Sequence, residues 1–166
     1  MQAYVRRLQT WAGDVIVVAD GENVLFVGVG HEGNYISFLR RQGYEELSHH
    51  SCGLLEEASR QISEYFKGER RAFDLPVKMM GTEFSRRVWS IVIQIPYGHL
   101  RSYKWVAEQL GINYARPVGR ALAANHLMLI VPCHRVVSST MGLGGFSAGT
   151  RLKEALIKHE ARHSNC

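Results

Sequence analysis

Cysteine is scarce in this chain, and long apolar runs are missing. The 166 residues include three cysteines: Cys52, Cys133 and Cys166. An odd, sparse count argues against a disulfide framework and suits a reducing compartment, where a thiol stays free to react. No apolar run approaches the ~20 residues needed to span a bilayer, so no membrane association is expected. Residues 1–7 lack the apolar stretch of a secretory signal. The chain is therefore expected inside the cell: cytoplasmic, or nuclear in a eukaryote. No internal repeat or low-complexity segment is visible. The composition, 46% hydrophobic and 21% charged, is that of a globular protein with a packed core, as one domain or two small ones.

Acidic residues are also scarce in the second half. Residues 1–81 carry 9 Lys and Arg against 11 Asp and Glu, a net of −2, whereas residues 82–166 carry 11 against 4, a net of +7. The overall surplus of +5 thus belongs entirely to the second half. A basic half beside a slightly acidic one suggests a nucleic-acid-binding portion.

The first part reads as mixed α/β. A β-branched run at residues 14–20, the turn signal Gly21-Glu22-Asn23 and the run 24–29 resemble a hairpin. Residues 54–66 place Leu54, Leu55, Ala58, Ile62, Tyr65 and Phe66 at helical spacing, closed by Lys67-Gly68. Residues 73–79 suit an edge strand, since Pro76 cannot donate a ladder hydrogen bond. A domain boundary is expected near Met80-Gly81, giving a small antiparallel sheet and helix over 1–80 and a mostly helical domain over 81–166.

In the second part Thr82 can cap a helix whose apolar face is Phe84, Val88, Trp89, Ile91, Val92 and Ile95, stopped by Pro96-Tyr97-Gly98. Ser102 can cap a short helix over 103–110 ended by Gly111. An Ala-rich helix follows over 116–125, where Pro117 is tolerable only in the first turn. Two short helices joined by a few residues with glycine form a helix-turn-helix signal, although an ordinary helical hairpin gives the same pattern.

Five apolar residues, 127–131, then lead into Pro132-Cys133-His134-Arg135-Val136-Val137. A cysteine reacts as thiolate and needs a base or a positive field. His134 could serve through a bridging water, with Glu160 in the last helix to orient it. The pair alone more often marks a buried, inert cysteine beside a surface histidine.

The wider pattern is more specific. Phe84-Ser85-Arg86-Arg87-Val88-Trp89, Ile95-Pro96-Tyr97-Gly98, Ser102-Tyr103, Ala115-Arg116-Pro117-Val118-Gly119, Asn125, the segment 131–137, Gly142-Leu143-Gly144-Gly145-Phe146-Ser147, and 152–156 with His159-Glu160 run in order. Together they resemble the C-terminal domain of the O6-alkylguanine-DNA alkyltransferases, the methylated-DNA–protein-cysteine methyltransferases. The first 80 residues match that family only in layout.

The resemblance implies an α/β fold with a winged-helix-like, helix-turn-helix second domain. It also implies a single-turnover transferase that moves an alkyl group from O6-alkylguanine in double-stranded DNA to Cys133, after the base is flipped out of the duplex. Cys133 becomes the nucleophile, His134 the water-mediated base and Glu160 the orienting acid. Tyr103 rotates the 3′ phosphate and polarises the guanine leaving group. Asn125 ties the recognition helix to the active-site turn. The backbones of Cys133 and Val136 accept from the guanine amino group, while Phe146 and Ser147 belong to a loop closing the pocket. Arg116 fills the space left by the flipped base, and the small residues Ala115, Gly119, Ala121, Ala123 and Ala124 let its helix approach the minor groove. Ser85, Lys104 and Ser139 fall at phosphate contacts. A monomer without cofactor or metal is expected: His49-His50-Ser51-Cys52 has no second ligand pair at structural-zinc spacing.

This chain departs from the family pattern at Phe146, where tyrosine is common, at Ala148, where glycine is frequent, and at His126, where proline is usual. Cys133 separates it from the alkyltransferase-like proteins that bind lesions without chemistry. The additional metal-binding domain of the regulators in the family is not expected here, and nothing in the sequence indicates the oxyanion hole of a cysteine hydrolase.

Overall fold

The computed structural model of the chain describes residues 1–29, 32–138 and 150–164. Tertiary contacts divide it into two compact units, Met1–Met80 and Gly81–Cys166.

The first unit is built on a four-stranded sheet in the order β3-β2-β1-β4. Strands β1 (Gln2–Thr10), β2 (Gly13–Ala19) and β3 (Val24–Val29) are antiparallel neighbours. The β2–β3 hairpin forms where turn chemistry predicts it. Asp20 Oδ1 accepts from Glu22 N at 2.8 Å and from Asn23 N at 2.7 Å, an Asx-type turn. β4 (Glu46–Ser48) adds a short parallel edge, pairing Gln2 with Glu46, so the sheet is mixed rather than purely antiparallel. Helix α1 (Glu32–Arg41) sends Tyr35 and Leu39 into a core with Ala3, Val5, Ile16, Val18 and Leu25. Helix α2 (Gly53–Phe66) buries Leu55, Ala58, Ile62, Tyr65 and Phe66 at the expected spacing. The segment read as an edge strand makes only a single bridge, Val24 to Val77. Pro76 contributes its carbonyl to Val24 N at 2.8 Å and has no N–H with which to extend a ladder.

The second unit is mainly helical: α3 (Glu83–Val92), β5 (Arg101–Ser102), α4 (Tyr103–Leu110), α5 (Arg116–Ala123), a 3-10 turn (Cys133–Arg135), β6 (Val136–Val137) and α6 (Thr150–His163). The caps sit where side-chain chemistry favours them. Thr82 Oγ1 accepts from Ser85 N at 3.1 Å and Ser102 Oγ from Trp105 N at 2.9 Å. α3 stops before Ile95, earlier than its apolar periodicity suggests. The final turn tightens to i→i−3 bonds, Gln94 N to Ile91 O and Ile95 N to Val92 O, because the residue before Pro96 is disfavoured in helical conformation. Trp89, buried in α3, donates its indole N–H to Ala121 O in α5 at 2.9 Å. Val88, Val106, Val118 and Leu122 are buried with it.

Candidate active site

Residues 127–137 are buried throughout. The chain enters this segment by a turn in which Val131 N donates to Leu127 O at 2.9 Å. Leu129 there takes a φ of 74°, a left-handed conformation that a branched side chain adopts only when its surroundings hold it. Pro132 follows with φ −81° and ψ 66°. With Cys133 N donating to Val131 O at 2.8 Å, this is an inverse γ-turn. Proline suits that φ, and the turn delivers Cys133 to the first position of the 3-10 turn.

Cys133 is 6% exposed. Asn125, two residues beyond α5, donates Nδ2 to Val131 O at 2.9 Å and to Cys133 Sγ at 3.2 Å, while its Oδ1 accepts from Leu127 N at 2.9 Å. One amide therefore holds the end of α5, the Leu127 turn and the thiol. Burial pushes the Cys133 thiol up from its ordinary range, opposed by the Asn125 hydrogen bond and the charge of Lys153. The Cys133 carbonyl already accepts from Val136 N, which leaves one of its lone pairs for another donor.

Behind the cysteine, His134 Nε2 lies 2.5 Å from Glu160 Oε2. Glu160 is more than a histidine partner. Its carboxylate also accepts from Arg135 Nε at 2.8 Å, Arg135 Nη2 at 3.2 Å and Gly98 N at 3.1 Å. Arg135 Nη1 reaches Ile95 O at 2.6 Å, and its guanidinium lies over the Tyr97 ring. Gly98 meets the carboxylate at a φ of 78°, and a Cβ there would lie 2.8 Å from Ser164 Cβ. Burial disfavours the Glu160 anion, but the His134 and Arg135 bonds outweigh it and hold the carboxyl well below the usual range. Burial keeps His134 neutral, pushing its pKa down against the pull of Glu160. Its other ring nitrogen, Nδ1, is buried with no hydrogen-bond partner among the described residues.

Lys153 was not among the sequence-level candidates. It is fully buried on the inward face of α6 with Leu156 and Glu160. Its Nζ donates to Tyr103 Oη at 3.3 Å and lies over the Tyr103 ring. Burial pulls its pKa down to about 8, and the charge of Cys133 opposes that shift. The thiolate and the ammonium therefore stabilise each other. No local signal singles out this lysine; its partners are set by tertiary structure.

The outer face of α5 is different in kind. Arg116, Arg120 and Ala123 are exposed on it, with Gly119 between them at helical spacing, whereas Ala121, expected on that face, is buried beside Trp89. Arg116, Arg120, Lys104, Arg86 and Arg87 are exposed and form no ion pair among the described residues. Ser85 is half-buried in the first turn of α3. Val136 is buried in β6.

Residues 83–162 match the DNA-binding domain of the 6-O-methylguanine DNA methyltransferases. A methylated-DNA–protein-cysteine methyltransferase of Methanosarcina acetivorans is 44% identical over 149 residues, 89% of this chain and 92% of that one. The constitutive methylated-DNA–protein-cysteine methyltransferase of Bacillus subtilis is 33% identical over 159 residues, 95% of this chain and 94% of its own. The chain belongs to the methylated-DNA–protein-cysteine methyltransferase family. A crystal structure of the Mycobacterium tuberculosis member in complex with DNA superposes with a TM-score of 0.83 at 30% identity, covering 96% of this chain and 94% of that one.

For a methyltransferase of this kind, the described residues bring together Cys133, His134, Glu160 and Asn125, with Tyr103 joined through Lys153. Ser139, Phe146 and Ser147 lie outside the described residues. His126, at the position where proline is usual, is buried edge-on to Trp89, with ring centroids 5.4 Å apart. Among the described residues no helix is long and apolar enough to cross a membrane.

Proposed function

We propose that this protein repairs double-stranded DNA by transferring the alkyl group of O6-alkylguanine to Cys133 Sγ, once per molecule, as a monomer in the reducing interior of the cell. The observation that carries the reading is a buried thiol, held by Asn125, directly followed by a buried His134–Glu160 pair.

The chemistry balances as a displacement. His134 takes the thiol proton at Nδ1 through a water. The thiolate attacks the alkyl carbon, an S–C bond forms, and the C–O6 bond breaks with its electron pair passing to guanine. Guanine takes up one proton, donated by Tyr103, which balances the one lost by the thiol. Lys153 supports both ends: its positive charge favours the thiolate, and its bond to Tyr103 Oη leaves the phenol proton free to be donated while stabilising the phenolate. A thioether has no easy hydrolytic exit, so Cys133 is consumed. The carbonyls of Cys133 and Val136 accept from the guanine amino group, and Phe146 and Ser147 belong to the pocket loop.

The target lies inside a duplex, so the base is flipped. α5 enters the minor groove, Arg116 takes the place of the flipped base, and Ser85, Lys104 and Ser139 meet phosphates. Gly119 supports this reading. A glycine inside a helix costs about 1 kcal/mol relative to alanine, yet a Cβ at Gly119 would meet nothing within 4 Å. Packing among the described residues therefore does not demand glycine there, whereas close approach of a partner does.

Incubation with an O6-methylguanine duplex followed by intact-mass analysis tests the proposal. The expected result is a gain of one methyl group per protein, located on Cys133. Repeated turnover, or label on Cys52 or Cys166, overturns it.

A further inference from the structure

The turn from α4 into α5 carries Tyr114, 63% exposed, the most exposed aromatic side chain among the described residues. Its side chain makes no hydrogen bond or ring contact among them. The core does not use it, and a ring left in water forgoes the burial that makes aromatic side chains valuable.

The turn that displays it is well defined. Gly111 takes a φ of 75°. Gly111 N donates to Glu108 O and Ile112 N to Ala107 O, each at 3.0 Å. This pair of bonds is a Schellman motif, which fixes the exit from α4. Asn113 and Tyr114 then stand exposed immediately before Arg116 opens α5. Tyr114 thus lies at the leading end of the outward face formed by Arg116, Gly119, Arg120 and Ala123.

We propose that Tyr114 is a DNA-contacting residue whose ring packs on the deoxyriboses and base edges of the groove wall beside the lesion, seating α5. The inference rests on the reading of α5 as the helix that enters DNA. Each neighbour on that face has a distinct part: the arginines supply charge and Gly119 supplies room. Tyr114 supplies the flat apolar surface that a sugar or base edge accepts irrespective of sequence. A tyrosine does so at little entropic cost, having two side-chain torsions to fix. The contact is uncharged and displaces no counterion, so it differs in kind from the contacts of Arg116 and Arg120. A second protein copy is a poorer occupant, because one ring falls far short of the ~1,000 Å² of a specific protein interface.

The test uses the full chain carrying Cys133→Ser, so that no transfer intervenes. Affinity for an O6-methylguanine duplex is measured over a salt series for the parent and for Tyr114→Ala, Tyr114→Phe, Arg116→Ala and Arg120→Ala, with melting temperatures as a check on folding. Tyr114→Ala is expected to weaken binding about tenfold at every salt concentration, with the salt slope and melting temperature unchanged. Tyr114→Phe retains most of the affinity. Arg120→Ala lowers the slope by about one phosphate contact. Tyr114→Ala binding within twofold of the parent overturns the proposal, as does a concentration-dependent dimer that the substitution abolishes while DNA affinity holds. If Arg120→Ala and Arg116→Ala also leave duplex binding untouched, the assignment of α5 itself fails. If they weaken it while Tyr114→Ala does not, only the role of Tyr114 fails.

Discussion

His134 gives one ring nitrogen, Nε2, to Glu160 at 2.5 Å and keeps the other, Nδ1, buried without a partner among the described residues. Glu160 is held ionised and can only accept. Neutral His134 therefore carries its proton on Nε2, which leaves the Nδ1 lone pair to accept. The carboxylate thereby selects the tautomer that the proposed proton abstraction requires.

Glu160→Gln should slow single-turnover transfer about 10²-fold and move the pH–rate profile to higher pH. It should also weaken the fold. The carboxylate orients more than His134, since it also holds Arg135 and Gly98 N. Leaving the Arg135 charge buried without its anion should cost about 3 kcal/mol in denaturant unfolding. A variant with an unchanged rate and pH profile would mean that the thiolate is maintained by other groups.

The same pair sets the acid response. Unfolded, Glu160 takes up a proton near 4.5; folded, it does so only at lower pH. The stability it contributes is present above about pH 4.5 and is lost as pH falls through the folded value. His134 acts in the same direction. Unfolded it protonates near 6.5, and folded it resists the proton, so stability should begin to decline below about pH 6.5. Urea unfolding between pH 7 and pH 4 should show this decline, and Glu160→Gln should flatten its lower part. A parent protein equally stable at both ends would contradict the buried pair.

Local signals carried much of this structure, and tertiary pairing hid the rest. Thr82, Ser102 and Gly111 mark helix ends because capping chemistry acts within three residues. The Pro132-Cys133-His134-Arg135 segment is legible because its proline and apolar approach are contiguous. β1 escaped notice because Arg6, Arg7 and Gln9 interrupt its apolar alternation. β4 pairs Gln2 with Glu46, and no local pattern encodes a contact that distant. Lys153 reads as a solvated helix charge until Tyr103, 50 residues earlier, is set against it.

Lys153 should trade stability against reaction. Its proton binds near 8 in the folded chain and near 10.5 when unfolded. The unfolded state therefore holds more protons between those values, and the buried cation costs up to about 3 kcal/mol below pH 8. Lys153→Met should raise unfolding stability at neutral pH by about 2 kcal/mol, allowing for the lost Tyr103 bond. The gain should fade towards pH 10. Transfer to Cys133 should slow, with its pH dependence displaced upwards, since the thiolate loses its cation. Transfer as fast as the parent's would remove Lys153 from the mechanism.

Gly119→Ala separates folding from DNA engagement at a single position. The backbone at Gly119 is helical, and an added Cβ would meet no atom within 4 Å. Among the described residues nothing opposes alanine, so helix propensity should raise stability by about 0.5–1 kcal/mol. The methyl group would project from the face that carries Arg116 and Arg120. If that face enters the minor groove, the methyl group stands between helix and duplex, and affinity for an O6-methylguanine duplex should fall several-fold. The reaction with free O6-benzylguanine needs no groove and should keep its rate, because Cys133, His134 and Glu160 are untouched. The informative quantity is the ratio of duplex to free-base rates, measured with the melting temperature. A higher melting temperature with a lower ratio fits a helix shaped for a partner. A variant that gains stability and keeps its duplex rate would show that this face of α5 does not approach DNA closely.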